Sequence, residues 1–374
     1  MSDGKMIIYK TVLPANVEIA ERRGLGHPDA LCGALAERIS TTYARYCYEN
    51  LDHTIIPYAI EGLTMADGES AVEFGGGQMI KPIRLYLRGG FATQAMGKKI
   101  PHLDIARQVI YDYLEQVIPN LDARKWVRVI DGIQGYGGPS GYFRIDELVA
   151  NHMYAIKAAY PLTPAETTAM KIEQLLSSPA YKKSNPFVGA DNKIIVTQNG
   201  NSVDISAYVS MVSRYVSSEK ELWSHSAQIK NDIIEIASSG RTMVGDIDIY
   251  SSATPLLDGR AMTYSGSSVE SYNGAAVGRS RYPVYHAEKI YSVVAHRIAK
   301  RIFSEEHAPC SVELISKVGW PMTTPWRTII NLFSAAGNTS VSQSVWTQVQ
   351  EIANDELGKV GEVVLNLMYD KTKI

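Results

Sequence analysis

Six consecutive residues, Gly24-Leu25-Gly26-His27-Pro28-Asp29, set a titratable imidazole and a carboxylate between a glycine-rich break in a strand and the start of a helix. Amide groups exposed at the positive end of a helix favour anions, phosphate among them. The same residues also make an ordinary capped turn, with Asp29 as the N-cap and His27 as a turn histidine. A second stretch, FGGGQMIKPIRLYLRGGFAT, begins at Phe74. Its Gly75, Gly76 and Gly77 permit close backbone approach to a ligand, and Lys81, Arg84 and Arg88 supply positive charge. Period-two spacing puts Arg84 and Arg88 on one strand face, which reads equally well as a solvated face.

Strand alternation in NVEIAERR leads into the first turn, with Val17 and Ile19 apolar between polar neighbours. The spacing of Leu31, Leu35, Ile39, Tyr43 and Tyr46 predicts a helix from about Ala30 to Tyr48, with Asp29 well placed to cap it. Alternation through Ile83, Leu85 and Leu87 predicts a strand, followed by a helix over about Leu103 to Val117. Another helix is expected near Ala165 to Leu176, then two strands joined at Asn199-Gly200, a dipeptide that favours a type I′ hairpin. Ser218 and Glu221 form a capping-box pattern for a long helix ending near Gly240. Alternation recurs near residues 246–268 and 311–318, each followed by a helix-like stretch, so a strand-pair-plus-helix theme occurs three times.

The chain has 374 residues, 45% of them hydrophobic and 20% charged, enough for a substantial core divided among two or three domains. A formal net charge of −2 offers no bulk attraction to nucleic acid or to an anionic membrane. Any phosphate site must therefore be a local cluster of cations and backbone donors. The three cysteines, Cys32, Cys47 and Cys310, match neither a zinc site nor a redox pair and read as reduced structural thiols. MSDGKMIIYK lacks the basic start and long apolar run of a signal peptide, and no apolar run is long enough to span a membrane, so a cytoplasmic location is expected.

Taken in order, RRGLGHPDALCGALAE, FGGG with PI and GGFAT, GADNKIIV, VSRYV, VGRSRYPVYHAEKIY and ISKVGWP resemble the archaeal-type methionine adenosyltransferases, also called S-adenosylmethionine synthetases, across nearly the whole chain. The resemblance implies an α+β fold of three pseudo-symmetric strand-plus-helix units, packed as a homodimer with active sites at the subunit interface. Soft limits at 1–120, 121–240 and 241–374 are expected, with units interleaved. The implied reaction joins ATP and methionine into S-adenosylmethionine, and the tripolyphosphate released is hydrolysed to pyrophosphate and phosphate. Such a site must stabilise a departing triphosphate with cations and a Mg²⁺ ion on oxygen ligands. A potassium requirement stays open.

Position by position, His27 resembles the family's histidine beside the leaving triphosphate, and Asp29 its metal-binding carboxylate, preceded by Gly26 in the turn. Glu61 stands where an acidic residue is associated with the methionine side. Asp191 and Lys193 look like the pair facing nucleotide and phosphate, and Arg279 and Lys289 resemble further phosphate-binding cations, with Gly75, Gly76 and Gly77 lining the nucleotide. Departures from the family concern carboxylates. Gly33 and His152 stand where Asp is expected, and Tyr272-Asn273-Gly274-Ala275 replaces a Gly-Asp-Asp-Gly run, removing two acids at Asn273 and Gly274. The chain also passes from Arg281 straight to YPVYH, without a longer loop that the family carries there. Mg²⁺ needs hard oxygen ligands, so these changes bear on activity. They leave open an enzyme that makes S-adenosylmethionine, a relative that uses another nucleophile or only hydrolyses polyphosphate, and a non-catalytic nucleotide-binding subunit.

Overall fold

Alternating apolar residues and helix-period apolar faces give a chain of interleaved strands and helices, seen here in a computed structural model. It describes residues 4–12, 17–56, 58–136, 144–238, 243–254, 264–265, 286–334 and 340–369. In chain order these residues form β1 (Lys5–Val12), β2 (Glu18–Arg23), α1 (Pro28–Asn50), β3 (Tyr58–Glu73), β4 (Gly76–Ala92), β5 (Gln94–Ala95), β6 (Lys98–Lys99), α2 (His102–Val117) and α3 (Ala123–Trp126). Then come β7 (Val127–Tyr136), β8 (Ala155–Tyr160), α4 (Pro164–Ser177), α5 (Pro179–Ser184), β9 (Val188–Asn199), β10 (Ser202–Val212) and α6 (Glu219–Ser238). The last are β11 (Met243–Thr254), β12 (Tyr264–Ser265), α7 (Ala287–Glu306), β13 (Cys310–Ile315), β14 (Arg327–Ser334), α8 (Gln343–Gly358) and α9 (Val360–Met368).

Among the described residues, three four-stranded sheets share one pairing pattern. In each, a central strand pairs in parallel with one edge and antiparallel with its hairpin partner, which pairs antiparallel with a fourth strand. The sets are β1-β14-β13-β8, β11-β10-β9-β2 and β7-β4-β3-β12. The expected α+β fold of three like units is what the chain adopts. After a fourth strand the chain moves to another sheet: β2 leads to α1, which packs on β3, and β8 leads to α4, which packs on β9 and β2. One core joins the sheets of β3–β4 and β13–β14 through α1, α2, α7, α8 and α9. A second, of Ile172, Leu176, Ile194, Val196, Val209 and Ile233, fills the unit of β9 and β10.

The periodic face of the first helix is where the sequence places it. Leu31, Leu35, Ile39 and Tyr43 are fully buried, and the Tyr43 hydroxyl donates to the Ala92 carbonyl at 3.0 Å. The helix starts earlier than expected, at Pro28, with His27 and not Asp29 as the N-cap. Proline fits a first helical position because no amide hydrogen bond is lost there. The hairpin of β9 and β10 also differs: Asn199 pairs with Ser202, so Gly200 and Asn201 are the central residues. Of these only Gly200 has a positive φ, +57°, whereas a type I′ turn needs two and a type II′ turn takes glycine first. At α6, Ser218 caps the Glu221 amide as expected, while the Glu221 carboxylate returns to Ser217.

Candidate active site

β2 ends at Arg23, and the turn that follows is laid against β9 by two backbone bonds, from Gly24 N to Asn192 O (2.8 Å) and from Gly26 N to Ala190 O (3.1 Å). A side chain at position 26 is excluded: its Cβ would lie 2.6 Å from the Ala190 carbonyl carbon. This contact seats His27 and Asp29 at the N-terminus of α1, beside the β9 segment Ala190–Lys193.

Opposite residues of an antiparallel pair share a sheet face. Arg23 stands opposite Lys193, and Glu21 opposite Ile195, so two cations and a carboxylate gather on the face turned away from the core residues Ile194 and Val196. Glu21 Oε1 accepts from Arg23 Nε at 2.9 Å and from Lys193 Nζ at 3.2 Å. Arg23 also donates through Nη1 to Asp29 Oδ2, and His27 Nδ1 lies 3.9 Å from that same oxygen. Burial by itself would raise the Glu21 carboxyl, but the hydrogen bonds from Lys193 and Arg23 outweigh it and hold the group below its ordinary range.

His27 is the neutral member of this network. Burial first, and the Arg23 charge second, lower its imidazole to about 4, against the opposing pull of Asp29. Its Nδ1 accepts the Asp29 amide hydrogen at 3.3 Å. A neutral imidazole that accepts at Nδ1 carries its proton on Nε2, so the ring offers one N–H donor at the helix N-terminus. Asp191, two residues before Lys193 on the same strand, is 8% exposed.

The other expected site residues are placed as follows. Lys289, in the first turn of α7, is 5% exposed and pairs with Glu37 of α1 at 3.0 Å. Gly75 sits in the turn between β3 and β4, and its amide goes to the Ser213 and Val216 carbonyls at 3.1 and 2.8 Å. Ser213 Oγ donates to the Gly76 carbonyl at 2.6 Å. The three-glycine turn, with Gly77 opposite Val72, is thus anchored to the 3-10 turn Ser213–Tyr215. Arg84 and Arg88 are exposed on β4, and Lys81 pairs with Glu69. Glu61 lies in β3, but its side chain lies outside the described residues, as do Arg279, Asn273, Gly274 and the segment after Arg281.

Glu21, Arg23 and Glu37 were not singled out from the sequence. The signal was present: Glu21 and Arg23 are two apart on a strand, hence on one face, and Asp29, Gly33 and Glu37 are each four apart on a helix, hence in one row. Of the altered acidic positions, Gly33 is the middle of that row. His152 is exposed, and its Nδ1 accepts the Met153 amide at 2.9 Å while its carbonyl accepts from Ser316 Oγ at 2.8 Å. Its ring lies 5.0 Å from that of Tyr154, which is 5.3 Å from buried His286, three residues before Lys289.

Among the described residues no group of three or more His, Cys, Asp and Glu side chains is arranged to hold a metal. Asp29, the expected metal carboxylate, has its Oδ2 engaged by Arg23, and its helical neighbour one turn on is Gly33. The described residues do not fit a divalent-ion cage. No helix among them is long and apolar enough to cross a membrane. Cys32, Cys47 and Cys310 are buried and form no disulfide among the described residues, and burial pushes each thiol up to about 12.

Three interleaved α+β units, and a glycine turn that seats a histidine beside two cations and two carboxylates, define the class of protein to which the chain belongs. Comparison with known proteins agrees. A model of the S-adenosylmethionine synthetase (AdoMet synthetase) family matches residues 5–282 and 279–371, and the chain belongs to that family. It is thereby a methionine adenosyltransferase-like enzyme of the archaeal type. A probable S-adenosylmethionine synthase of Aquifex aeolicus is 27% identical over 389 residues, covering 95% of this chain and 94% of that protein. An S-adenosylmethionine synthase of Pyrobaculum neutrophilum is 28% identical over 383 residues, 93% of each. Among solved structures, an unusual S-adenosylmethionine synthetase from Campylobacter jejuni aligns over 93% of both chains with a TM-score of 0.56 at 14% identity, a likeness of fold.

Proposed function

We propose that this protein joins ATP and L-methionine, or a close analogue, into S-adenosylmethionine, and releases pyrophosphate and phosphate. The observation that carries the reading is the network of Glu21, Arg23, Lys193 and Asp29 around neutral His27 at the N-terminus of α1. The names of the relatives point the same way.

In the proposed reaction the thioether sulfur attacks C5′ of ATP, the C5′–O bond breaks, and its electron pair leaves with the triphosphate. Arg23 and Lys193 lie on one sheet face, where fixed cations stabilise that charge as it develops. The Nε2–H of His27 donates to a phosphate oxygen without first having to gain a proton. Asp191, Lys289, Arg279 and Glu61 belong to the nucleotide-facing set by position in the sequence, Lys289 from its buried pair with Glu37. A Mg²⁺ ion on the phosphate oxygens would spread the negative charge further. A homodimer in the cytoplasm belongs to the same reading, supported by family membership.

The test is to incubate the pure protein with ATP, Mg²⁺ and methionine and to resolve the products by mass. Adenosylated methionine supports the proposal. A nucleotide fragment without methionine would replace it with polyphosphate hydrolysis or another nucleophile, and unchanged ATP would leave a binding subunit.

A further inference from the structure

One face of α1 carries positions 29, 33 and 37, stacked along the i to i+4 row over about 12 Å. Both acids of this row are already matched by a cation from another element. Asp29 is paired with Arg23 at the end of β2, and Glu37 with the buried Lys289 of α7 at 3.0 Å. The rung between them, Gly33, offers no oxygen. A divalent ion entering at Asp29 would need to sit about 2 Å from Oδ2, where the Arg23 guanidinium is bonded and Lys193 stands directly across the strand pair. Asp29 is only 11% exposed, so little water screens that repulsion.

We propose that Arg23 neutralises Asp29 in place of a metal, so that the free protein takes up no divalent ion at this carboxylate and any such ion enters only on the polyphosphate. The inference rests on the reading of this turn as a polyphosphate site and adds to it the form in which the ligand is bound. Arg23 thus has a second role beside facing the polyphosphate: from the end of β2 it pairs with Asp29 in the first turn of α1 and keeps that carboxylate from acting as a metal anchor.

The experiment is an electron paramagnetic resonance titration of the full chain with Mn²⁺ alone, and equilibrium dialysis with tripolyphosphate. For the wild type, protein alone is expected to leave the free Mn²⁺ signal undiminished. Equilibrium dialysis against Mn²⁺–tripolyphosphate, which is already chelated in solution, is expected to retain one equivalent of Mn²⁺ and of tripolyphosphate per chain on the protein side. Arg23→Gln is expected to gain about one equivalent of Mn²⁺ without tripolyphosphate, and the double variant with Asp29→Asn to lose it again. A wild type that binds one equivalent of Mn²⁺ alone, lost in Asp29→Asn, overturns the inference, as does an Arg23→Gln protein with native circular dichroism that takes up none. If Arg23→Gln does not fold, the wild-type and Asp29→Asn titrations decide alone. Tripolyphosphate that binds under neither condition would instead remove the polyphosphate reading on which the inference stands.

Discussion

Arg23 and Lys193 stand directly opposite each other on antiparallel neighbours, β2 and β9, two positive charges on one sheet face. Like charges so placed repel. Glu21 reconciles them by accepting from both, and with Asp29 on Arg23 the two cations are matched by two carboxylates.

Replacing Glu21 separates stability from affinity. Glu21→Gln leaves the two cations without their shared carboxylate, and the fold is expected to lose about 1–2 kcal/mol in urea denaturation. The same change is expected to tighten tripolyphosphate binding on the order of fivefold, because an anion no longer competes with Glu21. Weaker binding in a folded Glu21→Gln protein contradicts this arrangement.

Gly26 tests the seat of the turn. Alanine there meets the Ala190 backbone at 2.6 Å, a crowding that backbone shifts relieve at a cost of about 1–3 kcal/mol. Thermal melts of Gly26→Ala should show that loss, together with weakened tripolyphosphate binding, since His27 and α1 move with the turn. A melt equal to wild type rules out the close packing of β9 against residues 24–26.

The pH dependence follows from two buried imidazoles. His27 and His286 are each lowered from an ordinary 6.5 to about 4, chiefly by burial. The unfolded chain therefore takes up protons before the folded one, so this stability is fully present above pH 6.5 and is lost as pH falls toward 4. Each group contributes a slope of up to about 1.4 kcal/mol per pH unit in that window. Denaturant midpoints measured at pH 7, 5.5 and 4.5 should fall for wild type and fall less for His27→Gln. Parallel slopes in the two proteins contradict a neutral His27.

Lys289 and Glu37 hold α7 to α1 through a pair of which the lysine is 6% exposed. Lys289→Met leaves Glu37 facing a poorly hydrated pocket and should cost about 3 kcal/mol. A double-mutant cycle with Glu37→Gln should return a coupling of about 1–3 kcal/mol. A coupling near zero would mean that the pair does not join the two helices.

The parts of this fold legible in the sequence are those set by local chemistry. The face of Leu31, Leu35, Ile39 and Tyr43, the Ser218 cap and the β9–β10 hairpin all follow from periodicity or from residues within one turn of each other. Sheet order is different. β1 pairs with β14 through Lys5 opposite Arg327, a partnership that no local pattern encodes. The site divides in the same way. His27, Asp29 and Lys193 stand out by motif, whereas Glu21, Arg23 and Glu37 look like ordinary strand and helix charges until register sets Arg23 against Lys193 and α7 brings Lys289 to Glu37. Aspartate is a common N-cap, so the sequence favours Asp29 for that place, whereas here the His27 ring takes the Asp29 amide.

If the residue 24–29 turn and the Arg23–Lys193 face together bind the polyphosphate of a nucleotide, the protein takes up ATP through Lys193. Isothermal titration of the full-length protein with ATP tests it most directly, run for the wild type and for Lys193→Ala at low and high salt. One ATP per chain is expected, with affinity that falls with added salt and at least tenfold weaker binding in Lys193→Ala, about 1.4 kcal/mol. No heat of binding from ATP, or equal affinity in the two proteins, would contradict it.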